Sequence, residues 1–185
     1  MRFIKKYNLF LILLLIGSLS SCLKDNEIKY EGNFVEMDAA VYTANSAGQT
    51  YPIITRLPQY GQPIISANIA ATATQPAILA DPLITRASGT IKFRVNLVGR
   101  QKSTATVIGY TIFATGTTAV SGTHYTTGST ISIPANSSYG EIEVQILNTG
   151  TSSTTVRDLV LELTGASDLP PSENEKRVGI RISQL

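Results

Sequence analysis

Tryptophan is absent from this sequence of 185 residues, and cysteine and histidine occur once each, as Cys22 and His124. A lone cysteine closes no disulfide within the chain, so stability has to come from a hydrophobic core. A lone histidine, with no second cysteine, leaves a transition-metal site short of its usual nitrogen and sulfur ligands. Charged residues are only 15% of the chain and form no basic stripe, which excludes the footprint of a nucleic-acid binder. A helical signal is missing as well: no segment after Cys22 carries an apolar stripe at helical spacing capped at both ends. There is no Gly-x-Ser-x-Gly nucleophile elbow, and Ser121, His124 and Asp158 are the nearest approach to a Ser-His-acid set. The expectation is a protein that is not an enzyme and holds no cofactor and no metal.

What is present begins at the N-terminus. Arg2, Lys5 and Lys6 precede an unbroken apolar run from Leu9 to Ile16 and then small residues, the layout of a secretory signal. The run is too short to span a bilayer, which takes about 20 apolar residues. Leu19-Ser20-Ser21-Cys22 resembles the lipobox of bacterial lipoproteins, which implies cleavage after residue 21 and lipid on the Cys22 thiol. Two or three acyl chains would hold the protein on its membrane far more firmly than one. Removing residues 1–21 takes away three basic residues and no acidic ones, moving the formal charge from +2 to −1. Leu23-Lys24-Asp25-Asn26-Glu27 is similar to the signal that sends some Gram-negative lipoproteins to the outer face of the outer membrane. Residues 22–33 read as lipidated cysteine and polar tether.

From residue 34 onward the dominant period is two. Ile91, Phe93, Val95 and Leu97 alternate with Lys92, Arg94 and Asn96, and Ile142, Val144 and Ile146 alternate with Glu141, Glu143 and Gln145. Leu159, Leu161 and Leu163 share a face, as do Val178, Ile180 and Ile182. Such alternation places one row on a core and one in water. VIGYTIFATG is apolar on both faces and suits a central strand, and an early strand is expected from about Phe34 to Tyr42. Turns recur at Gly99, Gly116, Gly122, Gly128, Pro134 to Gly140, Asn148 to Ser153 and Gly165 to Pro171. The expected fold is therefore all-β: one immunoglobulin-like antiparallel β-sandwich of about seven strands over residues 34–185. Residues 44–89 stand apart as a long irregular insertion, because five of the eight prolines fall there and prolines are kept out of central strands.

From about Thr104 to the C-terminus the chain resembles a Calx-beta domain. The residues that carry this are Gly122-Thr123-His124-Tyr125, Ile131-Ser132-Ile133-Pro134, Glu141-Ile142-Glu143-Val144 and Leu159-Val160-Leu161-Glu162-Leu163. The resemblance implies a β-sandwich and, at its family site, calcium held by several carboxylates. At those places this chain has His124, Asn148-Thr149 and Arg157-Asp158, so only Asp158 keeps an acid and calcium binding is not expected. His124 reads as a turn histidine hydrogen-bonded to backbone. The whole chain is also similar to small surface lipoproteins with domains of unknown function, through Asp81-Pro82-Leu83-Ile84-Thr85-Arg86, Phe93-Arg94-Val95-Asn96-Leu97 and Pro171-Ser172-Glu173-Asn174. Members of that group often accompany glycan-uptake systems of the outer membrane.

The function expected from the sequence is a non-catalytic, lipid-anchored surface protein that binds or scaffolds an extracellular partner, a glycan or a component of an outer-membrane glycan-uptake system. The alternative is a structural spacer, or a module that adds an edge strand to a neighbouring protein, with no ligand of its own. The candidate binding surface is Tyr51, Arg56 and Tyr60, because exposed aromatics stack on sugars and anchor protein contacts. The competing reading of these tyrosines is that they cover one end of the sandwich. Glu141 and Glu143, two apart on a strand, read as one solvated face rather than a catalytic acid pair.

Overall fold

The computed structural model describes residues 32–185. The expected signal segment, Cys22 and nearly all of the tether lie outside the described residues. Nine strands and one short helix make up the domain: β1 (Phe34–Met37), α1 (Asp38–Tyr42), β2 (Ile53–Ile54), β3 (Thr90–Val98), β4 (Thr106–Ile112), β5 (Tyr125–Thr127), β6 (Thr130–Ile133), β7 (Tyr139–Ile146), β8 (Arg157–Gly165) and β9 (Arg177–Ile182). They form two sheets, one ordered β1-β3-β7-β5 and the other β2-β9-β8-β4-β6. This is the expected all-β sandwich, and the alternation on four of its strands is what builds it. Ile91, Phe93, Val95, Ile142, Val144 and Ile146 face Leu159, Leu161, Leu163, Val178, Ile180 and Ile182 across a closed core.

Three local expectations are corrected. The early strand stops at Met37, because the next residues, Asp38 to Tyr42, wind into one helical turn. Asp38 sits in that first turn, where a carboxylate suits the helix N-terminus. Strand β4 does have a neighbour on each side, but only one of its faces is covered: Ile108 and Tyr110 are buried while Val107 is 60% exposed. Phe113 lies beyond the strand, where Arg177 stacks over its ring at 4.0 Å. The sheets are also not purely antiparallel, since β2 runs parallel to β9 with Ile53 opposite Gly179.

That parallel pair comes from the insertion, which is ordered by a few specific ties. Ile84 donates to the Thr55 carbonyl at 2.9 Å and Ser183 donates to the Ile84 carbonyl at 3.0 Å, continuing the sheet edge through non-strand residues. Asp81, only 2% exposed, accepts from Gln59 Nε2 at 2.6 Å and from the Ile65 amide at 2.7 Å. Burying a carboxylate is costly unless its oxygens are hydrogen-bonded, and here each has a donor.

The chain changes sheet at every connection from β1 to β8, and at the β6–β7 corner it does so at close quarters. Gly140 makes the close approach possible: a Cβ there would stand 2.8 Å from the Ser132 carbonyl oxygen. A missing side chain at this point lets β6 close on β7.

Candidate functional site

The outward face of β3 and β7 follows from the same alternation that fills the core. Register sets Lys92 opposite Glu143, Arg94 opposite Glu141 and Asn96 opposite Tyr139. Lys92 Nζ reaches Glu143 Oε1 at 2.9 Å and Glu141 Oε2 at 3.1 Å, bridging both acids. Hydrogen bonds that it donates to Glu143 and Glu141 hold the Lys92 ammonium above its ordinary value. In return Lys92 holds the Glu141 carboxyl below its ordinary value, against a smaller opposing effect of burial.

A loop of the insertion lies over this face. Tyr60 donates its hydroxyl to Glu141 Oε1 at 3.0 Å, and its ring is 5.8 Å from the Arg94 guanidinium carbon. Burial, and then the Glu141 acceptor, push the Tyr60 phenol up to about 12. Tyr139 lies closer to the same guanidinium, at 4.2 Å. The loop is held from beneath: the Gly61 amide donates to Asp38 Oδ2 at 2.9 Å, and Asn96 Nδ2 donates to Asp38 Oδ1 at 2.9 Å. Gly61 has φ +73°, a left-handed turn that glycine adopts without strain.

Beside these groups is an open groove of about 390 Å³, bounded by Ser132, Ser137, Tyr139, Glu141 and Glu143. Strand β5 pairs with β7 only over Val144–Ile146, so among the described residues no strand hydrogen-bonds to the Tyr139–Glu143 part of β7 on that side. The groove therefore presents one aromatic ring, two carboxylates and two hydroxyl side chains within a shallow trough. A larger groove of about 490 Å³, at Asn45, Gln49, Thr50 and Lys176, offers less. Its two cations are already bound, Lys176 to Glu173 at 2.8 Å and Arg177 to Glu162 at 2.7 Å, and no aromatic residue lines it.

The three residues expected to form the binding surface do not come together. Tyr51 is 2% exposed, packed edge-on to Phe113 at 6.3 Å and against Gly116 and Gly179 on the outside of the second sheet. It cannot present a ring to a ligand, which corrects the expectation for this residue; it covers the outer face of a sheet rather than one end of the sandwich. Arg56 donates to the Asp81 carbonyl and ties the insertion to itself. Tyr60 alone is on an accessible face, at 38% exposure. Its neighbours there, Tyr139 and Arg94, were missed because each sits on a regular strand where an outward residue reads as ordinary surface. Two aromatic residues and an arginine far apart in sequence become one feature only through register and the fold of the insertion.

The turn that resembles a calcium site has other occupations. His124 Nδ1 accepts from the Val120 amide at 3.0 Å, and the His124 amide donates to the Val120 carbonyl at 2.9 Å. Asp158 is gripped by Arg181 through Nε at 2.9 Å and Nη2 at 2.8 Å, from directly opposite on β9. The acid left from the family pattern is thus half of a two-point ion pair.

No family model and no curated protein matches the chain. Among solved structures it is similar to the apo form of the Calx CBD1 domain, at 14% identity over 54% of this chain and 86% of that one, with a TM-score of 0.46. It is similar to a protein of unknown function from Bacteroides ovatus, at 11% identity over 82% of this chain and 52% of that one, with a TM-score of 0.45. A third similarity is to a suspected carbohydrate-binding protein from Bacteroides ovatus ATCC 8483, at 12% identity over 53% of this chain and 32% of that one, with a TM-score of 0.39. The chain spans about half of the first Bacteroides protein and about a third of the second. Likenesses at these values describe shape and carry no function across.

Proposed function

We propose that this protein is a non-catalytic binding module, anchored through lipid on Cys22 to the outer face of the outer membrane, whose β3–β7 face takes an extracellular glycan. The observation that supports it is the convergence of Tyr139, Glu141, Glu143, Ser132 and Ser137 on one open groove. A sugar offers apolar C–H faces and a rim of hydroxyls. An exposed tyrosine ring suits the first, and carboxylates and hydroxyls suit the second. Lys92 and Tyr60 fix the carboxylate of Glu141 before any ligand arrives, so its ordering entropy is already lost.

The test is an array of bacterial and plant oligosaccharides probed with the full chain in detergent. Retention of one glycan class, lost in Tyr139→Ala, is the expected result. If no glycan is retained while a single outer-membrane protein cross-links to the chain in intact cells, the glycan reading falls and the structural-module reading takes its place. The anchor is tested apart from the ligand. Cys22→Ser should abolish lipid labelling and release the protein from the membrane fraction, and a variant that stays membrane-bound would refute lipid anchoring at this residue.

A further inference from the structure

Three cations on the outward faces of the strands find an acid on the adjacent strand: Lys92 with Glu141 and Glu143, Arg177 with Glu162, and Arg181 with Asp158. Among the described residues Arg94 does not, although register sets Glu141 directly opposite. Glu141 turns to Lys92 and to the Tyr60 hydroxyl instead. Arg94 Nε is buried with no hydrogen-bond partner, and what holds the guanidinium is the faces of two rings, Tyr139 at 4.2 Å and Tyr60 at 5.8 Å. Rings attract a cation but give its N–H groups no acceptor in the guanidinium plane.

We propose that Arg94, held between Tyr60 and Tyr139 beside the groove, receives a carboxylate carried by the glycan, so that the face selects uronate-containing polysaccharides. The proposal rests on the reading of this face as a glycan site. Its chemistry is that of a planar fork meeting a planar anion: stacking fixes the guanidinium plane, and its outer N–H groups take a carboxylate at two points. The neighbouring acids do not forbid this, because Lys92 binds both Glu141 and Glu143. Tyr139 then belongs to both parts of the ligand, steadying Arg94 with its ring and lining the trough that would take the sugar.

The experiment compares three probes on the full chain in detergent: an oligogalacturonate, the same oligomer with its carboxyls methyl-esterified, and a sulfated dextran oligomer of similar length. The acid oligomer should bind at least about tenfold more tightly than its ester. Arg94→Gln should bring the acid oligomer down to the affinity of the ester, Arg94→Lys should lie between, and Tyr139→Ala should lose both. If acid and ester bind the wild-type chain equally, the glycan site stands and the role of Arg94 falls. A preference for the sulfated oligomer over the uronate overturns the assignment of a carboxylate. If none of the probes binds, both the role of Arg94 and the glycan reading lose their support. A loss in Arg94→Gln counts only if its thermal midpoint is kept; where it is not, Arg94→Lys, which keeps the charge without the planar fork, decides the question.

Discussion

At the scale of single residues, the informative positions are those where one atom more or less decides a contact. Gly140→Ala would drive a methyl group onto the Ser132 carbonyl, and overpacking of this kind costs about 1–3 kcal/mol. Denaturant unfolding of the variant should show that loss; an unchanged midpoint would mean that the β6–β7 corner is looser than it looks. Glu141 sets a pH response. Lys92 holds its folded carboxyl below the ordinary value of 4.5, so the ion pair stabilises the fold above that pH and is lost as the pH falls through the lowered value. Because the pair lies at the surface, solvent screening keeps its contribution small. Glu36 has the opposite sign. Burial raises its carboxyl, so it favours the fold below its ordinary value and that contribution disappears as the pH rises through the raised one. Stability followed from about pH 6 to about pH 3 should show a shallower acid loss in Glu141→Gln than in the wild type, and coincident curves would remove Lys92 as the cause.

At the scale of elements, the insertion divides what could be read in the sequence from what could not. Five prolines between residues 44 and 89 correctly warn against long strands there, and only Ile53–Ile54 is one. Nothing in the sequence shows that Asp38 and Asp81 are buried at 3% and 2% exposure, since an acid normally faces water. Yet these two carboxylates organise the segment, one binding Gly61 and the other Gln59 and Ile65. Tyr51 was misjudged for a related reason: a tyrosine among prolines reads as exposed until a sheet face is found beneath it. Asp81→Ala should leave the sandwich folded while raising amide hydrogen exchange across residues 57–83. Its local cost is about 1–3 kcal/mol, the penalty of leaving buried donors without an acceptor. Exchange that rises equally in β3 and β8 would show instead that the insertion and the sandwich unfold as one unit.

At the scale of the whole molecule, the sheets were legible because a period of two has one physical cause, a surface buried on one side. Strands β3, β7, β8 and β9 announce themselves through Phe93, Val144, Leu161 and Ile180, all at or near zero exposure. Which strands share a sheet was not legible, because register is set by contacts between residues distant in sequence. Leu161→Ala, at the centre of the core, should cost about 2–5 kcal/mol in denaturant unfolding, and a much smaller loss would argue that the two sheets are not closely packed there. The pairing of β2 with β9 also dictates an order of events. Ile53 emerges early in synthesis, but its partner Gly179 follows 126 residues later. A chain that folds as it emerges, N-terminus first, has to leave Ile53–Ile54 unpaired until β9 arrives. The edge at β2 is then among the last parts to set, while the loop that carries Tyr60 to the β3–β7 face, tied to Asp38 and Glu141, does not wait for β9.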